Sequence, residues 1–368
     1  MSSLTPLPLP AGVRTRHVPD VRGLDMHVLE AGTPDQPLVV LLHGFPEIAF
    51  SWRNVMPLLA AAGYRTVAPD QRGFGRTTGW SADYQTSLEP YKSVHLAEDI
   101  LSLLDAIGET EAHAVVGHDF GASVAATLAL LAPHRFARLA LMSAPFAGVP
   151  QPNREAPVLA IAAALAELSP PRKHYHHYYS MPETDREMRH PPQGLHDFLR
   201  AYFHHKSGDW AGNTPHPLSG WTAEVLAELP TYYVMGLQDT MPQAVGPFLP
   251  RQDEIDNCAW LPNRDLAVYT SEYQRTGFQG GLNWYRARLA GPGPAEHARV
   301  ADRTIDIPTC FIAGARDWGV YQTPGALEAM RANACKDMRG VHLIDDAGHW
   351  VQQEAPEAVV NQLVSLLR

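Results

Sequence analysis

The chain has 368 residues, enough for one large domain or two closely joined ones at a typical domain length of roughly 150 residues. Hydrophobic residues make up 45% and charged residues 18%, the balance of a globular protein with a substantial core. The formal net charge of −10 has no acidic or basic run behind it, which argues against nucleic acid or an anionic membrane surface as partner. Cys258, Cys310 and Cys335 form neither a metal-ligand spacing nor an even disulfide set, so reduced thiols and a cytoplasmic location are expected. The stretch Met1 to Gly12 lacks the basic-then-apolar order of a signal peptide, and no apolar run of about 18 residues predicts a membrane span. The oligomeric state is not fixed by the pattern, and a homodimer is left open.

Taken in chain order, the first third alternates strand and helix signals. Residues 24–30 alternate like an edge strand, and residues 37–42 (PLVVLL) are a continuous apolar run of the kind buried on both faces of a parallel sheet. Residues 64–68 and 113–116 repeat that pattern. Between them, residues 51–62 predict a helix with Ser51 as N-cap and Gly63 as its stop. Residues 95–107 place Leu96, Ile100, Leu103, Leu104 and Ile107 on one apolar stripe. A further helix follows Phe120, and residues 138–142 read as a strand. From Gly148 to Pro292 the chain is rich in Pro, His, Tyr and Trp, with helical patches and no strand signal. Strand signals return at residues 309–313 and 341–344, and residues 356–367 close the chain as a helix. The pattern predicts an α/β core from residues 1–147 and 293–368, carrying a mainly helical insertion at 148–292.

The motif that carries most chemistry is Gly117-His118-Asp119-Phe120-Gly121, between a buried strand and a helix. It has the form of a nucleophile elbow with Asp119 at the turn, at the sheet end where ligands bind. A carboxylate attacking an ester or amide carbonyl forms a high-energy anhydride. Attack on a saturated carbon bearing a leaving group gives an ordinary alkyl ester, so epoxides and alkyl halides fit. Two further segments complete the site. His43-Gly44-Phe45-Pro46-Glu47 ends a strand and offers the Phe45 N–H, which with the Phe120 N–H makes an oxyanion hole. Gly348-His349-Trp350 follows the last strand and supplies a histidine base, with Asp317 as its orienting acid. Asp345 and Asp346 lie too near His349 along the chain to reach its ring from across the site.

These segments, with Ser51-Trp52-Arg53 and Asp70-Gln71-Arg72-Gly73-Phe74-Gly75, resemble the soluble epoxide hydrolases, as does Gly277-Phe278-Gln279-Gly280-Gly281-Leu282-Asn283-Trp284-Tyr285-Arg286 in the insertion. The resemblance runs from about residue 25 to the C-terminus. It implies the α/β-hydrolase fold, with a mostly parallel eight-stranded sheet and a helical cap. It further implies a small-molecule epoxide as substrate, no cofactor, a cis Phe45–Pro46 bond, and two cap tyrosines that protonate the epoxide oxygen. Tyr285 matches one of these. For the other, the family's spacing of aromatics, laid on His174-Tyr175-His176-His177-Tyr178-Tyr179, implies Tyr175. Trp52, Trp284 and Trp350 are expected to line the substrate site. The sequence departs from the family at Phe120, where many relatives carry Trp, and at residues 186–240, which match no known part of it. Metal binding by His174, His176, His177, His204 and His205 is not expected, since no Cys or carboxylate joins them at a ligand spacing.

Two other functions share this fold. A haloalkane or haloacid dehalogenase uses the same Asp, His and Asp but needs a halide donor beside the nucleophile, commonly Trp or Arg, which Phe120 does not provide. A non-catalytic receptor on the fold often lacks a triad member, whereas each member has a candidate here. A serine nucleophile is disfavoured because Ser123 lies off the elbow.

Overall fold

A computed structural model describes residues 4–150 and 157–368, so Met1–Ser3 of the N-terminal stretch lie outside it. Eight strands form one sheet in the order β1-β2-β4-β3-β5-β6-β9-β10. Their bounds are β1 Arg14–Val21, β2 Leu24–Ala31, β3 Leu38–Leu42, β4 Arg65–Pro69, β5 Ala114–His118, β6 Leu139–Met142, β9 Thr309–Gly314 and β10 Met338–Ile344. Only β2 runs against its neighbours, and every pairing from β4 to β10 is parallel.

The apolar run of β3 explains why it sits centrally. Val40 and Leu42 face one side of the sheet and Val39 and Leu41 the other, so successive residues fill two separate cores. Helices Ser93–Ala106 and Phe120–Leu131 pack on the first face. Helices Val55–Ala61 and Pro356–Leu367 cover the second. Helix Phe120–Leu131 is buried at every position except Ser123 and Leu131, and its alanines let it approach the sheet closely.

Three local expectations are corrected. Residues 24–30 do not form the edge, because β1, a largely exposed strand with no alternating apolar signal, pairs outside β2. Ser51 is not an N-cap but lies inside a 3₁₀ turn, Ala49–Trp52, and the α-helix begins only at Val55. The excursion between β6 and β9 is not strand-free: β7 (Arg172–His174) and β8 (Val234–Gly236) pair as a short antiparallel ribbon.

Among the described residues the excursion otherwise carries helices joined by turns and loops, including Tyr175–Tyr179, Leu195–Lys206, Asn263–Thr276 and Gln279–Ala290. It is fastened over the carboxyl ends of the strands by a buried arginine. Arg53 donates to Asp265 Oδ2 at 3.0 Å, to Gln353 Oε1 at 2.7 Å and to the Trp260 carbonyl at 2.9 Å. With each of these donors matched by an acceptor, this buried cation links cap to core.

Candidate active site

The turn after β5 places Asp119 at φ 53°, ψ −118°, left-handed backbone that costs a non-glycine residue roughly 1–3 kcal/mol. Its neighbours are glycines because there is no room for anything else. A Cβ on Gly44 would lie 2.3 Å from Asp119 Cβ, and one on Gly121 would lie 2.3 Å from the Leu42 carbonyl oxygen. The chain therefore turns tightly and presents the carboxylate against the loop that follows β3. The Phe45 N–H donates to Asp119 Oδ1 at 3.0 Å. Phe120 begins the next helix, so its N–H has no acceptor within that helix. The peptide Phe45–Pro46 is cis.

The loop carrying Phe45 is held by His43. Its Nε2 accepts the Gln71 N–H at 3.1 Å, its Nδ1 donates to the Gly44 carbonyl at 2.9 Å, and its carbonyl accepts from Gln71 Nε2 at 2.6 Å. Burial lowers its pKa and keeps the ring neutral, as this donor–acceptor pattern requires.

On the other side of Asp119, His349 Nε2 lies 3.6 Å from Oδ2, and His349 Nδ1 lies 3.0 Å from Asp317 Oδ1. Both His349 and Asp317 are 1% exposed. Asp317 also accepts the Gly319 N–H at 2.6 Å, and burial, which raises its pKa, is outweighed by the His349 charge and these donors. For Asp119, burial likewise raises the pKa. His349, Lys206 and His118 outweigh that effect and hold the carboxyl well below the ordinary range, so it is an anion at neutral pH. For His349, burial and Lys206 lower the pKa, while Asp317 and Asp119 raise it further. Asp346, a rival by residue type, pairs with Arg316 at the surface instead.

Beneath this dyad lies a layer that sequence reasoning missed. His118 Nε2 donates to the His349 carbonyl at 2.7 Å, and its Nδ1 faces Glu47 Oε2 at 2.7 Å, with neither side chain exposed. Glu47 also accepts from Gln352 and Gln353, both at 2.8 Å through Oε1. The Ser143 hydroxyl donates to the same His349 carbonyl at 3.2 Å. His118, inside the Gly-x-Asp segment, and Glu47, just after Gly-Phe-Pro, thus fix the backbone of His349. Charged residues inside apolar motifs were the available signal.

The cap supplies the opposite wall. Tyr285 packs edge-on against Phe120 at 4.6 Å and Phe45 at 5.3 Å between ring centres, and Tyr175 lies 5.9 Å from Tyr285. Burial, and next the Asp119 charge, raise both hydroxyl pKa values well above the ordinary tyrosine value, so both stay protonated. Tyr175 donates to Gln322 at 3.0 Å, and Gln322 is a further site neighbour that no motif marks. Tyr178 points elsewhere, toward Lys173, and the Tyr179 hydroxyl is bonded to Tyr202 at 3.2 Å.

Of the three tryptophans expected to line the substrate site, Trp52 needs correction. Trp52 is fully buried on the far face of the sheet, among Val55, Met56 and Leu59, and does not reach the site. Trp284 lies edge-on to Phe120 at 5.6 Å, and its N–H is committed to the Arg72 carbonyl at 2.8 Å. Trp350 adjoins His349, with its N–H on the Phe203 carbonyl at 2.8 Å. These two act as struts between cap and core, and their sequence contexts do not distinguish strut from substrate wall.

A carboxylate on a strained elbow, beneath a mostly parallel sheet's carboxyl edge and facing a histidine–aspartate pair, defines an α/β hydrolase. Comparison with known proteins agrees: the family model for the α/β hydrolase fold matches residues 37–172. The chain is 34% identical over 360 residues to epoxide hydrolase A of Mycobacterium tuberculosis, covering 97% of this chain and 98% of that one. It is 33% identical over 346 residues to an epoxide hydrolase of Caballeronia sordidicola, covering 94% and 91%. Among solved structures, an epoxide hydrolase from an endophytic Streptomyces superposes with a TM-score of 0.77 at 30% identity, covering 97% of this chain and 96% of that one. Potato epoxide hydrolase I gives 0.76 at 28% identity, covering 96% and 99%. The chain belongs to the epoxide hydrolase family of the α/β-hydrolase fold.

Proposed function

We propose that the enzyme converts an epoxide and water to a vicinal diol through a covalent ester on Asp119. One Asp119 oxygen attacks an epoxide carbon, the ring C–O bond breaks, and the departing oxygen takes a proton from Tyr285 or Tyr175. His349 then removes a proton from water as that water attacks the ester carbonyl carbon. The Phe45 and Phe120 N–H groups stabilise the tetrahedral oxyanion. The acyl C–O bond breaks, the departing alkoxide takes the proton held by His349, and the diol leaves with the oxygen that Asp119 supplied. The new Asp119 carboxyl group loses its proton, the tyrosinate regains one, and the resting enzyme is restored. Asp317 orients His349 and stabilises its charged form.

The observation that supports this reading is the setting of one carboxylate: Asp119 has His349 Nε2 at 3.6 Å and the Phe45 N–H at 3.0 Å, and the Tyr285 ring packs on Phe45 and Phe120 with Tyr175 beside it. Tyrosine is a proton donor at neutral pH with a basic limit near 10, so it suits an alkoxide leaving group and is not needed for a halide. A parallel assay with an aryl epoxide, a terminal aliphatic epoxide and a haloalkane tests the substrate class. Diol from at least one epoxide without halide release is expected, and halide release alone overturns the reading. Tyr285→Phe is expected to slow formation of the ester by about 10²-fold while leaving its hydrolysis unchanged. Rapid-quench measurement of both phases checks this, and an unaltered alkylation rate removes Tyr285 from the step.

The free thiols of Cys258, Cys310 and Cys335 support a reducing, cytoplasmic setting. Among the described residues no helix is long and apolar enough to cross a membrane.

A further inference from the structure

Helix Leu195–Lys206 of the cap ends in a lysine that is only 3% exposed. Among the described residues no carboxylate lies within ion-pair distance of Lys206. Its ammonium instead stands among four aromatic rings, 4.9 Å from Tyr233, 5.3 Å from Trp350 and 5.5 Å from both Tyr202 and Tyr232. Negative ring faces favour a cation, but burying a lysine without a counter-ion is costly, and an apolar side chain would pack there more cheaply. The charge therefore requires a reason beyond packing.

Its placement gives one. The Lys206 carbonyl accepts the His349 N–H at 2.9 Å. Gly348 lies so close to this strand of cap that a Cβ on it would meet Ser207 C at 2.4 Å and the Lys206 carbonyl oxygen at 2.6 Å. Glu354 clamps the two segments, accepting from Gly208 at 2.7 Å, Gly348 at 2.9 Å and Trp350 at 2.9 Å. Trp350, the residue after the base, is itself a wall of the cage. Lys206 is thus fixed to the same backbone as His349.

We propose that Lys206 is a positioning residue of the catalytic base: a fixed buried cation that keeps His349 unprotonated while the ester on Asp119 is hydrolysed. The titratable or charged groups around His349 are Asp119 and His118 from the β5 elbow, Asp317 after β9, Glu47 behind His118, Glu354 on the N–H groups either side of it, whose carboxyl burial pushes up to about 8, and Lys206 from the cap. In the resting enzyme Asp119 and Asp317 favour the imidazolium. Esterification removes the Asp119 charge, while that of Lys206 remains. A cation beside an imidazole penalises the imidazolium, so the balance tips to the neutral base at the moment one is needed. Around Lys206, burial opposes the ammonium, and Asp119, Asp317 and Glu47 support it. His205, next along the helix, is turned away and stacked on Phe248 at 3.6 Å.

The inference rests on the two-step reading above, and rapid-quench mass spectrometry across pH 5 to 9 separates the two. In Lys206→Met the acid limb of ester hydrolysis is expected to move up by about one pH unit, roughly a tenfold slower decay on its acid side. Lys206→Arg is expected to keep the limb of the unaltered enzyme, since it restores charge without restoring shape. A merely structural lysine would change Tm or KM and leave the limb in place. An unmoved limb in Lys206→Met, or the same shift in Lys206→Arg, overturns the role of Lys206 while leaving the ester intact. Absence of any adduct in all three proteins overturns the two-step reading and this inference with it. Should Lys206→Met not fold, ¹⁵Nζ NMR of the unaltered enzyme decides: an ammonium at pH 7 is expected, and a neutral amine overturns the proposal.

Discussion

His349→Gln enzyme mixed with a saturating epoxide gains the mass of one substrate molecule and holds it. The two half-reactions draw on different groups. In the proposed mechanism ester formation uses Asp119, the Phe45 N–H at 3.0 Å and the cap tyrosines, and none of these passes through the imidazole. Ester hydrolysis needs a base that takes a proton from water, and the glutamine amide cannot. Loss of general-base help slows decay of the adduct by about 10²- to 10⁴-fold, while its formation changes little. Glutamine also lacks the charge that holds Asp317 below the ordinary carboxylate range, so some loss of stability accompanies the change. Intact-protein mass spectrometry over the time course is the check. Continued diol release with no mass increase at any time contradicts a covalent ester cleared by His349.

Asp119→Ala removes turnover altogether, by about 10⁴- to 10⁶-fold if it behaves like other covalent nucleophiles. The anion has no free substitute, since Asp317 and Glu47, two other buried carboxylates near His349, are held by bonds to histidines. The variant is expected to fold, because the Asp119 side chain makes one hydrogen bond to backbone and its positive φ is set by the surrounding glycines. A full Tm with no activity locates the loss in chemistry. Diol formation within tenfold of the unaltered rate would mean a different nucleophile.

The parts of the fold that were legible in sequence are those where one physical demand dominates. A parallel strand buried on both faces must be largely apolar, so β3, β5 and β9 were readable as short hydrophobic runs. β1 was not, because an exposed edge strand with the burial pattern of RTRHVPDV imposes no such demand. The cap ribbon was hidden for a related reason: three-residue strands are held by their register rather than by composition. Asp119, His349 and Asp317 were found from turn glycines and chain order, and the structure brings them within hydrogen-bonding or near hydrogen-bonding reach. Glu47, His118, Gln322 and Lys206 were passed over as site residues, since their roles depend on contacts across 71 residues or more of chain that no local pattern encodes. Trp52 shows the converse: an aromatic inside a family motif still serves only the core.

The central claim is that Asp119, not water, forms the first bond to carbon. A single turnover in H₂¹⁸O with enzyme in excess tests it most directly. The account predicts unlabelled diol and an Asp119-containing peptide heavier by one ¹⁸O-for-¹⁶O exchange, because water enters at the carboxyl carbon. Labelled diol with an unlabelled Asp119 peptide would show water adding straight to the epoxide and would contradict the ester.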